Sequence, residues 1–143
     1  VLYLTIKQRI KMCCEKSGVS LGEVSKKMNM RFSTFSTRLK TGKFTKKELE
    51  EIAYCVGCVY NSYFKFRDGT VINAPSSGEQ IKSALAHINM TATDLSKKMC
   101  ISQPAISKRL KTGKFTQNEL KQIAAMMDCE YISKLVFKDG MVI

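Results

Sequence analysis

The sequence is short of acid. Its 143 residues hold 24 Lys and Arg against 12 Asp and Glu, a formal charge of +12. A surplus of that size favours a polyanionic partner. A membrane surface would be one such partner. However, there is no run of the roughly 18 apolar residues that a spanning helix needs, no signal-peptide pattern and no lipidation signal, so no membrane partner is expected. Histidine occurs once, at His87. With no matched nucleophile or metal partner in the sequence, it reads as a surface helix residue. A Gly-rich phosphate loop, a paired-carboxylate site and a catalytic constellation are also missing. The expectation is therefore a protein that is not an enzyme and uses no cofactor.

Cysteine is not scarce, but its placement argues against disulfide or metal use. Cys55-x-x-Cys58 is a lone pair with no second pair at zinc spacing. Cys13, Cys14, Cys55 and Cys100 fall on apolar helix faces or in a turn, and Cys58 and Cys129 occupy matching places. All six are expected to act as small hydrophobes. Free thiols suit a reducing compartment and point to the cytoplasm.

What the chain does have is a repeat. Arg38-Leu39-Lys40-Thr41-Gly42-Lys43-Phe44-Thr45 returns unchanged as Arg109-Leu110-Lys111-Thr112-Gly113-Lys114-Phe115-Thr116. The same offset takes Ser25-Lys26-Lys27-Met28 to Ser96-Lys97-Lys98-Met99 and Asp68-Gly69 to Asp139-Gly140. Self-similarity of this kind outranks the single-domain prior for the length. It predicts residues 1–72 as one domain, 73–78 (NAPSSG) as a linker and 79–143 as a second domain. Units of about 70 residues bury only about 60% of their unfolded surface, so the two are expected to pack on each other.

Within the first copy, Ile6, Ile10, Cys13 and Cys14 form one helical stripe over 5–17, ended by Gly18. Ser20 and Glu23 make a capping box that opens a short helix over 21–28, and Asn29 suits a left-handed turn. A third helix over 32–40 turns Phe35 and Leu39 inward and stops at Gly42. Thr45 and Glu48 form a second capping box, stapled by Phe44 and Leu49, and open a fourth helix over 46–56. The period then changes from helical to alternating. Tyr60, Ser62, Phe64 and Phe66 alternate with Asn61, Tyr63 and Lys65 up to the Asp68-Gly69 turn, and Thr70-Val71-Ile72 returns. The second copy repeats the plan, with Thr91 and Asp94, then Ser102, then Thr116 and Glu119 as its helix starts. Tyr131 to Phe137, the Asp139-Gly140 turn and Met141 to Ile143 make its hairpin. The fold class expected is mainly α with a small β component. It consists of two tandem helix-turn-helix domains, each of four helices plus a β-hairpin, related by a pseudo-two-fold axis.

Two short helices joined by a tight turn, the second ending in basic residues, are the plan of a helix-turn-helix. Leu95-Ser96-Lys97-Lys98-Met99 followed by Ile101-Ser102-Gln103-Pro104-Ala105-Ile106-Ser107 resembles the helix-turn-helix of the Cro and phage-repressor family, and the resemblance covers both repeats through the fourth helix. It implies sequence-specific binding to double-stranded DNA, in the major groove and at phosphates, for transcriptional control, usually as a dimer on a palindromic operator. Asn29 and Cys100 stand where the family has its turn glycine.

In the second repeat, Gln103 is expected to read adenine or hold a phosphate, Lys108 to reach guanine O6/N7 or a phosphate, and Ala105 and Ser107 to meet a thymine methyl or a base edge. Ser102 and Pro104 begin the same helix. Arg31, Phe32, Ser33, Thr34, Ser36 and Thr37 are the corresponding residues of the first repeat, where Phe32 reads either as core, the favoured reading, or as a groove wedge. Lys40, Thr41 and Lys43, with Lys111, Thr112 and Lys114, flank the glycine turns and are expected at phosphates. Arg38 and Arg109 read instead as partners of an acidic residue inside the fold.

The repeat suggests two readers on one chain, serving an imperfect palindrome as a repressor of phage or mobile-element type, with further homodimerisation left open. The rival expectation is an interaction or inhibitor protein of phage origin, whose basic surface meets a host protein or a protein–RNA complex.

Overall fold

A computed structural model describes residues 4–143. The chain is mainly helical, with eight helices among the described residues and one three-stranded antiparallel sheet in the order β2-β1-β3. Helices α1 (Ile6–Ser17), α2 (Leu21–Lys27), α3 (Phe32–Thr41) and α4 (Lys46–Cys55) lead into β1 (Cys58–Lys65) and the short β2 (Val71–Ile72). Then α5 (Ser77–His87), α6 (Ala92–Lys98), α7 (Gln103–Thr112) and α8 (Gln117–Met126) lead into β3 (Glu130–Phe137).

Helix starts follow the side chains that satisfy the first free amides. Ser20 accepts from the Glu23 amide and Glu23 from the Ser20 amide, and Thr45 with Glu48, Thr91 with Asp94 and Thr116 with Glu119 do the same. A fifth reciprocal cap, Thr5 with Gln8, opens α1 and lies outside the set of acidic capping boxes read from the sequence. The stops are left-handed residues. Gly18, Gly42 and Gly113 have φ of 73°, 71° and 67°, and Asn29 and Cys100 turn the chain at 55° and 57°.

One helix begins earlier than the linker reading allows. Ser76 caps α5 by accepting from the Glu79 amide, so Ser77 and Gly78 are helical and buried rather than part of a connector. Gly78 lies where α5 meets α7. A Cβ there would stand 1.8 Å from the Leu110 carbonyl oxygen, so no side chain fits without moving a helix.

The chain divides into two compact units. One holds the chain up to Asn61 together with Lys134–Ile143, and the other holds Ser62–Ser133. These units are not the two sequence repeats, because the boundary falls inside β1 and inside β3. In the first unit, Leu135 and Phe137 join Ile10, Val24, Phe35, Leu49 and Ile52 in one core, with Ile143 packed against it. In the second, Phe64 and Phe66 join Ile81, Leu95, Ile106, Leu120 and Ile123, with Ile72 packed against them. Each unit therefore takes four helices and the start of the following strand from one repeat, with Cys58 and Tyr60 in the first core and Tyr131 in the second. It takes the far end of a strand, with its turn and return, from the other repeat. The first reversal after β1 comes at Gly69, with φ of 89°.

Polar contacts fix both exchanged segments. In the first unit, the Arg9 guanidinium donates to the Ile143 carbonyl at 3.0 Å, and Lys16 Nζ lies 2.7 Å from Asp139 and 5.2 Å from the centre of the Phe137 ring. In the second, the fully buried Gln80 amide donates to the Ser62 carbonyl at 2.8 Å, and His87 Nε2 lies 2.9 Å from Asp68 Oδ2 with its ring 4.7 Å from Phe66. Arg9 and Gln80, Lys16 and His87, and Asp139 and Asp68 are equivalent by the repeat, so the Lys16–Asp139 and His87–Asp68 pairs hold the same place with different chemistries, while Arg9 and Gln80 reach different acceptors, Ile143 and Ser62. His87 is thus a hairpin contact and not only a surface helix residue.

Candidate nucleic-acid interface

The candidate interface is the outer face of α3 in one unit and of α7 in the other, and each is held from behind by apolar anchors. Phe35 and Leu39 are buried beneath α3, with the Phe35 ring 5.8 Å from that of Phe44. Ile106 and Leu110 are buried beneath α7. A polar helix face is rigid only if its opposite face is packed, and both helices meet that condition.

Of the α7 set, Ser102, Gln103, Pro104, Ser107, Lys108, Lys111 and Thr112 are exposed, as is Lys114 beyond the glycine, while Ala105 is half-buried. Ser102 accepts from the Ala105 amide at 3.2 Å, and Pro104 sits in the first turn, where it breaks no helical hydrogen bond. Of the α3 set, Arg31, Ser33, Thr34, Thr37, Lys40, Thr41 and Lys43 are exposed and Ser36 is half-buried. Phe32, for which the core was the favoured place, is 53% exposed and belongs to neither core. Arg31 precedes α3 without a side-chain cap, in contrast to Ser102. The Thr37 hydroxyl donates to the Ser33 carbonyl at 3.0 Å, and that of Thr41 to the Thr37 carbonyl at 3.2 Å, so both protons are used inside the helix.

The turns that present these faces are braced. The Arg38 guanidinium pairs with Glu48 and that of Arg109 with Glu119, the internal pairing expected for both arginines. Arg109 also lies 4.7 Å from the centre of the Phe115 ring. Burial by itself would push the Glu119 carboxyl up, but the Thr116 amide and the Arg109 guanidinium together hold it below its ordinary value. Upstream, Ser25 and Ser96 are buried and donate to the Gly22 and Thr93 carbonyls at 2.8 and 2.7 Å. Lys26, Lys27, Lys97 and Lys98 at the ends of α2 and α6 are exposed.

The cysteines depart in part from the small-hydrophobe expectation. Cys13, Cys14 and Cys58 are buried, Cys55 and Cys129 are half-buried, and Cys100 is exposed because its left-handed turn carries it out of the core. Cys13 hydrogen-bonds to Cys58, and that bond together with burial raises the Cys13 thiol. Burial pushes Cys14 and Cys129 up to about 11, so both stay protonated at neutral pH. Among the described residues no three His, Cys, Asp or Glu side chains converge as a metal site, and no helix is long and apolar enough to cross a membrane.

No protein-family model, no characterised protein sequence and no solved structure matches this chain.

Proposed function

We propose that the protein is a sequence-specific double-stranded DNA-binding regulator, of the repressor type found in phage and mobile elements. In this reading α2–α3 and α6–α7 serve as two helix-turn-helix readers. The observation that carries it is the pairing of a buried anchor face with an exposed polar face on α3 and again on α7. Each polar face is followed, past a left-handed glycine, by an exposed lysine. A recognition helix needs that arrangement: side chains free to reach base edges on a support that does not yield.

In the proposed roles, Gln103 and Lys108 contact purine edges, and Lys40, Lys43, Lys111 and Lys114 lie at phosphates. The charge of +12 supplies the sequence-independent attraction. Because the two readers differ in sequence, the operator is an imperfect palindrome whose half-sites lie about one DNA turn apart, roughly 34 Å.

A second reading, a partner protein, is favoured by one observation. Tyr54 on α4 is 86% exposed beside an open groove lined by Lys27, Met28, Lys47, Glu50, Glu51 and Cys55. Aromatic side chains standing free at a groove are typical anchors of protein interfaces.

In vitro selection on random duplexes, followed across salt, separates the two readings. Two unequal half-sites about one turn apart support the regulator. Weak, steeply salt-dependent binding without an enriched motif moves the function to the Tyr54 groove and a protein partner.

A further inference from the structure

The faces of α3 and α7 that the DNA reading points at bases are chemically unlike. The offset of the repeat places Phe32 where Gln103 stands and Thr37 where Lys108 stands. Phe32 with Ser36, and Ser33 with Thr37, are pairs four apart on α3, and at 3.6 residues per turn the two pairs are adjacent rows within an arc of about 140° of the helix surface. The same positions on α7 offer a carboxamide and an ammonium as long donors. The α3 patch offers an aromatic ring, two short hydroxyls, and a threonine whose hydroxyl proton is already given to the Ser33 carbonyl at 3.0 Å.

Phe32 is the first residue of α3, 53% exposed and outside both cores. About half of the residue is covered by the protein, and its exposed half is apolar surface that a partner can cover. Its neighbours restrict the choice of partner. Arg31 beside it is exposed, as are Lys40 and Lys43 at the opposite end of α3, and α3 contains no acidic residue. An apolar ring on a helix that carries only cations suits a polyanion that also carries apolar groups. In the major groove the one apolar group on a base edge is the thymine C5-methyl, whereas guanine and adenine present acceptors.

We propose that the first repeat reads a thymine-bearing half-site through Phe32 and the methyl of Thr37, while the second reads purine acceptors through Gln103 and Lys108. The operator is then chemically asymmetric and sets the direction in which the chain lies on it. This inference rests on the DNA-binding reading above.

The test uses the full chain and the selected operator, with affinity followed by fluorescence anisotropy. Replacing a contacted thymine with uracil removes only the methyl. The expected loss is about fourfold per methyl, from the transfer free energy of one buried carbon group. Phe32→Ala, at a half-exposed position, should fold normally and reduce that uracil penalty at the thymine it contacts, and Phe32→Leu should retain more of it. Lys108→Ala should relax preference in the other half-site and leave the uracil penalty intact, which assigns each half to its repeat. A uracil penalty equal in wild type and Phe32→Ala, or no penalty in either half, overturns this inference while the regulator reading stands. Failure to select any operator overturns both.

Discussion

The Arg38 guanidinium is bound to the Glu48 carboxylate, whose other oxygen accepts the Thr45 amide at 2.9 Å. One carboxylate thus ties the end of α3 to the start of α4, and Glu119 does the same for α7 and α8 through Arg109 and Thr116. Helices α3 and α7 are positioned through this joint, so its loss should weaken both stability and the proposed contacts.

Glu119→Gln is expected to lower unfolding free energy at pH 7 by about 1–2 kcal/mol, the range for a partly exposed hydrogen bond to a charged group. The Glu119 carboxyl is held below its ordinary value in the folded chain. A depressed carboxyl contributes stability that is complete above its unfolded pKa and lost as pH falls through its folded pKa. The gap between wild type and variant should therefore close on acidification below about pH 4.5, near the ordinary glutamate value. Urea unfolding across pH measures it, and a gap that widens in acid refutes the assignment.

Gly78→Ala should be among the costliest small substitutions in the chain. Its Cβ would meet the Leu110 carbonyl oxygen at 1.8 Å, a backbone atom that cannot rotate away. Separating α5 from α7 should cost about 1–3 kcal/mol or more, as overpacking does. Thermal unfolding should show the loss, and a neutral result would mean that the two helices do not approach this closely.

Removal of the segment after Ser133 distinguishes the structural units from the sequence repeats. Leu135 and Phe137 lie in the core with α1–α4, so their loss should open that core. Amide exchange should speed up in Ile10, Leu39 and Ile52, while Ile81, Ile106 and Ile123 keep their protection. Loosening confined to α5–α8 would instead return the hairpin to its own repeat.

Lysines at phosphates and lysines at bases should fail differently. Lys111→Ala is expected to weaken binding to all duplexes alike and to reduce the log–log salt slope by about 0.9. Lys108→Ala should lose base preference in one half-site, with discrimination falling by about 1–3 kcal/mol. Anisotropy titrations on matched and mismatched operators decide the roles, and a uniform loss from Lys108→Ala would move that residue to the phosphate set.

Much of the fold was readable because its signals are short. A capping box spans four residues, a staple six and a left-handed stop one, so each can be recognised without its surroundings. The repeat adds a second view of the same position. Gly57 with φ of 78° stands where Asp128 has 56°, and Gly18 where Asn89 has 55°, so the glycine in one copy marks a left-handed residue in the other. That Arg38 and Arg109 pair with an acid inside the fold was readable because they are identical in both copies, whereas the partners themselves, Glu48 and Glu119, came from the structure.

The exposure of Phe32, the burial of Ser77 and Gly78, and the deep polar contact of Gln80 were not readable. Phe32 is as apolar as Phe35 three positions later, and only the packing of α3 separates an exposed ring from a fully buried one. Gln80 offers no sequence signal that its amide will find the Ser62 carbonyl 18 residues away.

The amino-acid sequence alone determined the helices, most of their ends, the hairpin turns and the duplicate plan, because each depends on contacts between near neighbours and on a period of 3.6 or 2. Only the tertiary structure decided which core each hairpin closes. Leu135, Phe137 and Ile143 match Phe64, Phe66 and Ile72 in pattern and in apolar character. Either set therefore suits either group of four helices, and alternation along a strand shows which face is buried but not against what. In the structure Phe64, Phe66 and Ile72 pack with α5–α8, and Leu135, Phe137 and Ile143 with α1–α4.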